Sequence, residues 1–158
     1  MSADSFFEWL TTTPWAKAMN GPEWAFPLVE SLHFIGLALS VGTIAIVDLR
    51  LLGIAVRRQS NSELAADLNI WTRIGLALML VTGPLMFSAD AVNYHHNPAF
   101  QFKMAMLALG LLNVALFRWR FGAALKKDTP LDGAYGLAAV SLASWTLVLL
   151  AGRFIAYL

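Results

Sequence analysis

Four long, mostly apolar stretches divided by short polar segments dominate this chain, and each is long enough to cross a bilayer as a helix. They run from about Trp24 to Leu52, Leu68 to Ala89, Ala99 to Trp119 and Ala134 to Tyr157. Of 158 residues, 58% are hydrophobic and 13% charged, more apolar surface than a water-soluble domain of this size can hide. In hydrocarbon every backbone N–H and C=O must find its partner inside the protein, which helices do within one segment. The expected fold is therefore all-α: one integral membrane four-helix bundle over residues 1–158, with an N-terminal interfacial amphipathic helix over about 5–19.

Charge excludes several functions and sets an orientation. A formal net charge of +1 and the lack of a Lys/Arg-rich tail give nucleic acid nothing to bind. With no Cys, disulfides, zinc-thiolate sites, iron-sulfur clusters, thiol nucleophiles and covalent c-type haem are excluded. Met1 to Glu8 carries Asp4 and Glu8 but no basic residue, so it lacks the basic start of a secretory signal and the first span is expected to direct insertion. Arg50, Arg57 and Arg58 lie between spans one and two, and Arg118, Arg120, Lys126 and Lys127 between three and four, together seven of the eleven basic residues. The positive-inside rule puts both loops in the cytoplasm of a bacterial inner membrane, with the N-terminus, the 90–98 loop and the C-terminus periplasmic. Ser5 is placed to cap a short helix from Phe6 to Leu10, whose Phe6, Phe7, Trp9 and Leu10, with Trp15, form an apolar foot on the outer surface. Trp24, Tyr94 and Tyr157 extend that outer aromatic belt, Trp71 and Trp119 mark the inner one, and Pro84 beside Gly83 predicts a kink in span two.

Ionisable residues at membrane depth carry the functional argument, because a charge in hydrocarbon costs a few kcal/mol or more and needs a partner. Glu30 and His33, at i and i+3 on one face of span one, share the outer leaflet with Lys103, which opens span three, and Arg153, near the end of span four. A neutral imidazole inside a bundle is a haem-iron ligand, and the two cations suit haem propionates. Equally, Glu30 can pair with Lys103 or Arg153 while His33 is hydrogen-bonded beside them. Gly36, one turn below His33, leaves room for a flat ring or for a close helix neighbour. At the inner end Asp48 and Arg73 suit a structural ion pair, and Asn113 interhelical hydrogen bonding.

His95 and His96, in the outer loop, are surface histidines, or else one of them joins His33 as a second axial ligand or in a copper site. Among the available thioethers, Met104 beside Lys103 is the candidate worth inspecting. Glu30-Ser31-Leu32-His33 has the spacing of di-iron bundles, but it occurs once and only Asp90 could add a carboxylate at that depth. Trp145, mid-span, either fills the bundle or faces a partner subunit. Hydrolase, phosphate-loop and dinucleotide signatures are absent.

Trp24-Ala25-Phe26-Pro27, Glu30-x-x-His33-x-x-Gly36, Asp48-Leu49-Arg50-Leu51-Leu52-Gly53, Thr82-Gly83, Asn97-Pro98-Ala99-Phe100-x-x-Lys103-Met104 and Ala151-Gly152-Arg153-Phe154 are spread over nearly the whole chain. Together they resemble a domain-of-unknown-function family of small four-span bacterial membrane proteins. More distantly, the layout is similar to the bacterial membrane protoporphyrinogen oxidases and the copper-resistance D proteins. In the oxidases a histidine early in span one and a lysine opening span three are the polar residues associated with haem or porphyrin, and His33 and Lys103 stand at those positions. The oxidases follow their histidine with a Gly-rich aromatic run ending in Pro-Arg. This chain has Ser40-Val41-Gly42 and Asp48-Leu49-Arg50 there, so the resemblance implies haem binding rather than porphyrinogen oxidation.

The leading expectation is a protein that binds haem b, or copper as the alternative, near the periplasmic leaflet and acts in electron transfer or redox sensing with an unknown redox partner. Two other readings are a non-catalytic accessory subunit, in a homo-oligomer or larger membrane complex, and a small transporter lined by Glu30, Lys103 and Arg153.

Overall fold

The computed structural model describes residues 3–56, 58–127, 131 and 133–157, which are helical apart from turns and short connectors. Two short helices, α1 (Ala3–Thr11) and α2 (Pro14–Asn20), precede α3 (Ala25–Leu51) and α4 (Asn61–Ala89). The six-residue α5 (Ala91–His96) leads into α6 (Pro98–Lys126), α7 (Ala134–Phe154) and a closing 3-10 turn, Ile155–Tyr157. Four helices, α3, α4, α6 and α7, are long and apolar enough to cross a membrane, so the chain is a multi-pass membrane protein.

Local chemistry explains the boundaries. The foot is two helices rather than one, broken at Thr12-Thr13 where Pro14 takes the first position of α2. Thr11, Thr12 and Thr13 each donate a hydroxyl to the carbonyl three residues back, at 2.7, 2.7 and 2.6 Å, satisfying the last carbonyls of α1. α3 ends in a Schellman turn: Ile54 N–H reaches Leu49 O at 2.9 Å and Gly53 N–H reaches Arg50 O at 3.0 Å, with Gly53 at the positive φ of 71° that a side chain resists. α4 begins at Asn61, seven residues before the expected start at Leu68, because Ser60 and Glu63 form a capping box in which Ser60 Oγ accepts from Glu63 N–H at 3.1 Å. It then continues through Pro84. α6 opens with Asn97 Oδ1 accepting from Phe100 N–H at 3.1 Å and Pro98 as its first residue.

α4 packs on α3, α3 on α7, and α7 on α6, while α4 and α6 scarcely touch. The molecule is thus two helical hairpins, α3–α4 and α6–α7, joined along α3 and α7. Gly36 and Gly75 make the first hairpin: a Cβ on Gly75 would fall 2.5 Å from Gly36 O, and one on Gly36 would fall 2.9 Å from Leu78 Cβ. Backbones that close are held by packing and polar contacts, since apolar surface alone drives no association in lipid. Ser40 Oγ lies 3.1 Å from Met79 Sδ and Thr43 Oγ1 lies 2.7 Å from Thr72 Oγ1. Trp145 fills the junction of the hairpins, 1% exposed among Val41, Val148, Leu37 and Ile44, with its indole against the bare face of Gly110. It is interior, and the reading of Trp145 as a subunit-facing surface is corrected accordingly.

Candidate functional site

His33 is buried on α3 against α4, where its Cε1 lies beside Gly83, a Cβ on which would stand 3.6 Å away. Its Nδ1 lies 2.8 Å from Thr82 Oγ1, and Thr82 Oγ1 donates its own hydrogen to Leu78 O at 2.6 Å. When the one hydroxyl hydrogen goes to Leu78 O, Thr82 accepts from His33 Nδ1, and in that tautomer Nε2 carries the lone pair of the neutral ring. Among the described residues Nε2 has no hydrogen-bond partner. Thr82 is the side chain that orients this ring.

Lys103 extends from α6 across to α7, where the hydrogen-only face of Gly152 accommodates it: a Cβ there would stand 3.5 Å from Nζ. No hydrogen bond joins Lys103 to His33 among the described residues; the ammonium reaches the imidazole only through its field. Arg153 does not join them. It is exposed, and its guanidinium donates to Tyr157 Oη at 2.5 Å with Cζ 4.9 Å from the ring centroid, a contact one turn along its own helix end. Glu30 forms no ion pair among the described residues; its carboxylate instead adds to the field at Tyr94. Burial, with the Asp90 and Glu30 carboxylates, pushes the Tyr94 phenol above its ordinary range.

An aromatic layer covers this end. Phe87 of α4 stacks on Phe100 of α6 at 5.2 Å, and Tyr94 lies 6.2 Å from Phe87 and 5.8 Å from Phe100. Thr82 is five residues before Phe87 and Lys103 three after Phe100, so His33 and Lys103 lie within about 8 Å below the stack at 1.5 Å per residue. At the far end Arg118 donates to Asn69 Oδ1 at 3.1 Å. Between stack and hydrogen bond, α4 and α6 make few contacts. Two shallow apolar grooves lie elsewhere: one of about 420 Å³ beside Phe102, Leu150 and Phe154, the other of about 370 Å³ beside Trp15, Val81 and Pro84. Neither is lined by His33 or Lys103. Met104 is exposed and turned from the site.

The inner polar cluster differs from expectation. Asp48 is buried, Arg73 is exposed, and no ion pair joins them among the described residues. Asp48 instead faces Ser141 of α7, and both Asp48 Oδ2 and Ser141 Oγ are buried without a hydrogen-bond partner. Asn113 is separate from both: it donates to Leu137 O of α7 at 3.1 Å and ties the second hairpin together. Equal depth put Asp48 and Arg73 together on paper, but their bearings around the helix axes keep them apart.

His95 and His96 group with Asp4 of α1 rather than with His33. The nearest ligating atoms of the three residues all lie within 4.8 Å of one another. Asp4 had no role in the sequence reading, because only the folding back of α1 onto α5 brings it there. Thr82 was likewise missed; its one sequence signal was a hydroxyl next to Gly83-Pro84.

Residues 6–158 match DUF6644, a family of unknown function, and the chain belongs to that family. No curated protein and no solved structure matches it.

Proposed function

We propose that this four-span membrane protein binds a b-type haem through His33 Nε2, near the periplasmic leaflet of a bacterial inner membrane, and serves electron transfer or redox sensing. The observation that supports this most is the hydrogen bond between His33 Nδ1 and Thr82 Oγ1, with Nε2 left without a partner among the described residues. A second group on the far ring nitrogen is what metal-bound histidines use to orient the ring, and with Thr82 accepting from Nδ1 it is Nε2 that is open to a ligand. Lys103 places an ammonium beside it, suited to a carboxylate on the ligand. α4 and α6 make few contacts, in contrast to the tightly packed α3–α4 pair.

Bound haem would supply one-electron chemistry. The chain's own part is to orient His33 through Thr82, to neutralise a carboxylate with Lys103, and to limit water with the Phe87–Phe100–Tyr94 layer. Seven of the eleven basic residues stand at sequence positions 50–58 and 118–127, where spans one and three end, which supports periplasmic termini and a site on that side. Copper on His33 is the alternative ligand, and an imidazole with a free lone pair suits it too. The test is the absorbance spectrum of protein purified from haem-replete cells. A Soret band is expected, lost in His33→Ala while the helical circular-dichroism signal persists; a colourless wild-type preparation overturns the reading.

A further inference from the structure

We infer that Asp4, His95 and His96 form a binding site for one divalent late-transition-metal ion, zinc or copper(II), which clamps the N-terminal foot to the connector between the hairpins. The site lies outside the bilayer spans and is separate from the His33 site.

Asp4 and Phe7, at i and i+3, share the face of α1 that meets α5. Phe7 stacks on His95 with centroids 4.1 Å apart and planes 30° apart, and itself meets Phe87 edge-on at 5.9 Å, so the His95 ring is held between α1 and the bundle. The α5 backbone is fixed beside it by Gln101 Nε2, which donates to His95 O at 2.8 Å. His95 and His96 are neighbours in sequence, and side chains one residue apart on a helix usually diverge. Here the helix ends at His96, Asn97 is extended, and the two ring centroids are only 5.1 Å apart.

Asp4 Oδ1 is 3.6 Å from His96 Nε2. Two ligands about 2.1 Å from a tetrahedral metal stand about 3.4 Å apart, so this pair is already at nearly the required spacing. The wider limit of 4.8 Å for the whole set closes with small side-chain rotations of partly exposed groups. Two imidazoles and one carboxylate, with no thiolate in the chain, select a borderline divalent ion over copper(I) or the hard cations magnesium and calcium. Asp4 and His96 side chains are 63% and 57% exposed, so water can take the fourth position and the ion exchanges with bulk solution. Without a metal the exposed Asp4–His96 contact adds little to the Phe7 stacking that seats α1.

The experiment uses the full chain in detergent, freed of its affinity tag and stripped with EDTA, titrated with zinc chloride alone and then copper(II) chloride alone by calorimetry. One equivalent of at least one ion is expected to bind saturably, with affinity falling tenfold or more in His96→Ala, His95→Ala and Asp4→Asn. Where copper(II) binds, its paramagnetic resonance spectrum is expected to show hyperfine coupling to two nitrogens, reduced to one in either histidine variant. Absence of saturable binding, or binding that survives both His96→Ala and Asp4→Asn in variants of undiminished helicity, overturns the proposal. A haem-free preparation that still binds the ion leaves this site standing while removing the haem reading.

Discussion

Thr82 is the side chain hydrogen-bonded to His33, and with its own hydrogen given to Leu78 O it serves as the acceptor for Nδ1. Thr82→Val keeps the shape and removes the acceptor, so haem affinity is expected to fall about tenfold to a hundredfold with the fold intact, read by titration of haem into the apoprotein. Asp48 is the residue where sequence reasoning failed most instructively. Depth in the membrane can be counted from sequence, but the direction a side chain takes around its helix depends on which neighbours pack there. Asp48 faces Ser141 and Arg73 faces outward. Since Asp48 Oδ2 is buried without a partner, Asp48→Asn is expected to preserve or raise the thermal midpoint, and Arg73→Gln to change stability by less than about 0.5 kcal/mol. A large loss in both variants would instead reveal an ion pair. Arg153 was misplaced for a related reason, because a partner one turn along its own helix, Tyr157, was nearer than any across the bundle.

Helix existence was legible in the apolar runs, but helix extent was not. The polar first turns of α4 extend beyond the membrane-like segment, and only the Ser60-x-x-Glu63 pattern marked their start. Ser60→Ala is expected to cost about 1 kcal/mol, measured by thermal unfolding in detergent. Close backbone contact gives a sharper contrast between glycines. On Gly75 a Cβ would meet Gly36 O at 2.5 Å, backbone that cannot give way, whereas on Gly42 it would meet nothing within 4 Å. Gly75→Ala is expected to destabilise by about 1–3 kcal/mol, while Gly42→Ala leaves the midpoint unchanged or slightly raised. The glycines look alike in sequence, and their different burdens come entirely from which helix faces are pressed together.

For the whole molecule, the four-helix plan and the foot followed from composition and the placement of aromatic residues, whereas the meeting of Asp4 with His95 and His96 required the chain to return over some ninety positions. Orientation can be tested directly. A cysteine at Asn93 is expected to react with a membrane-impermeant maleimide added to whole spheroplasts, and one at Gln59 only after the membrane is permeabilised. The reverse pattern would turn the protein over and move the His33 site to the cytoplasmic leaflet. The pairing of α3 with α4 and of α6 with α7 has a mechanical consequence as well. Each pair packs chiefly on itself, and α5 between them carries Tyr94, His95 and His96 rather than the contact that joins the pairs. Two separately translated polypeptides, severed within α5, are expected to insert independently and reunite along the Trp145 junction, so that one half carries the other through purification.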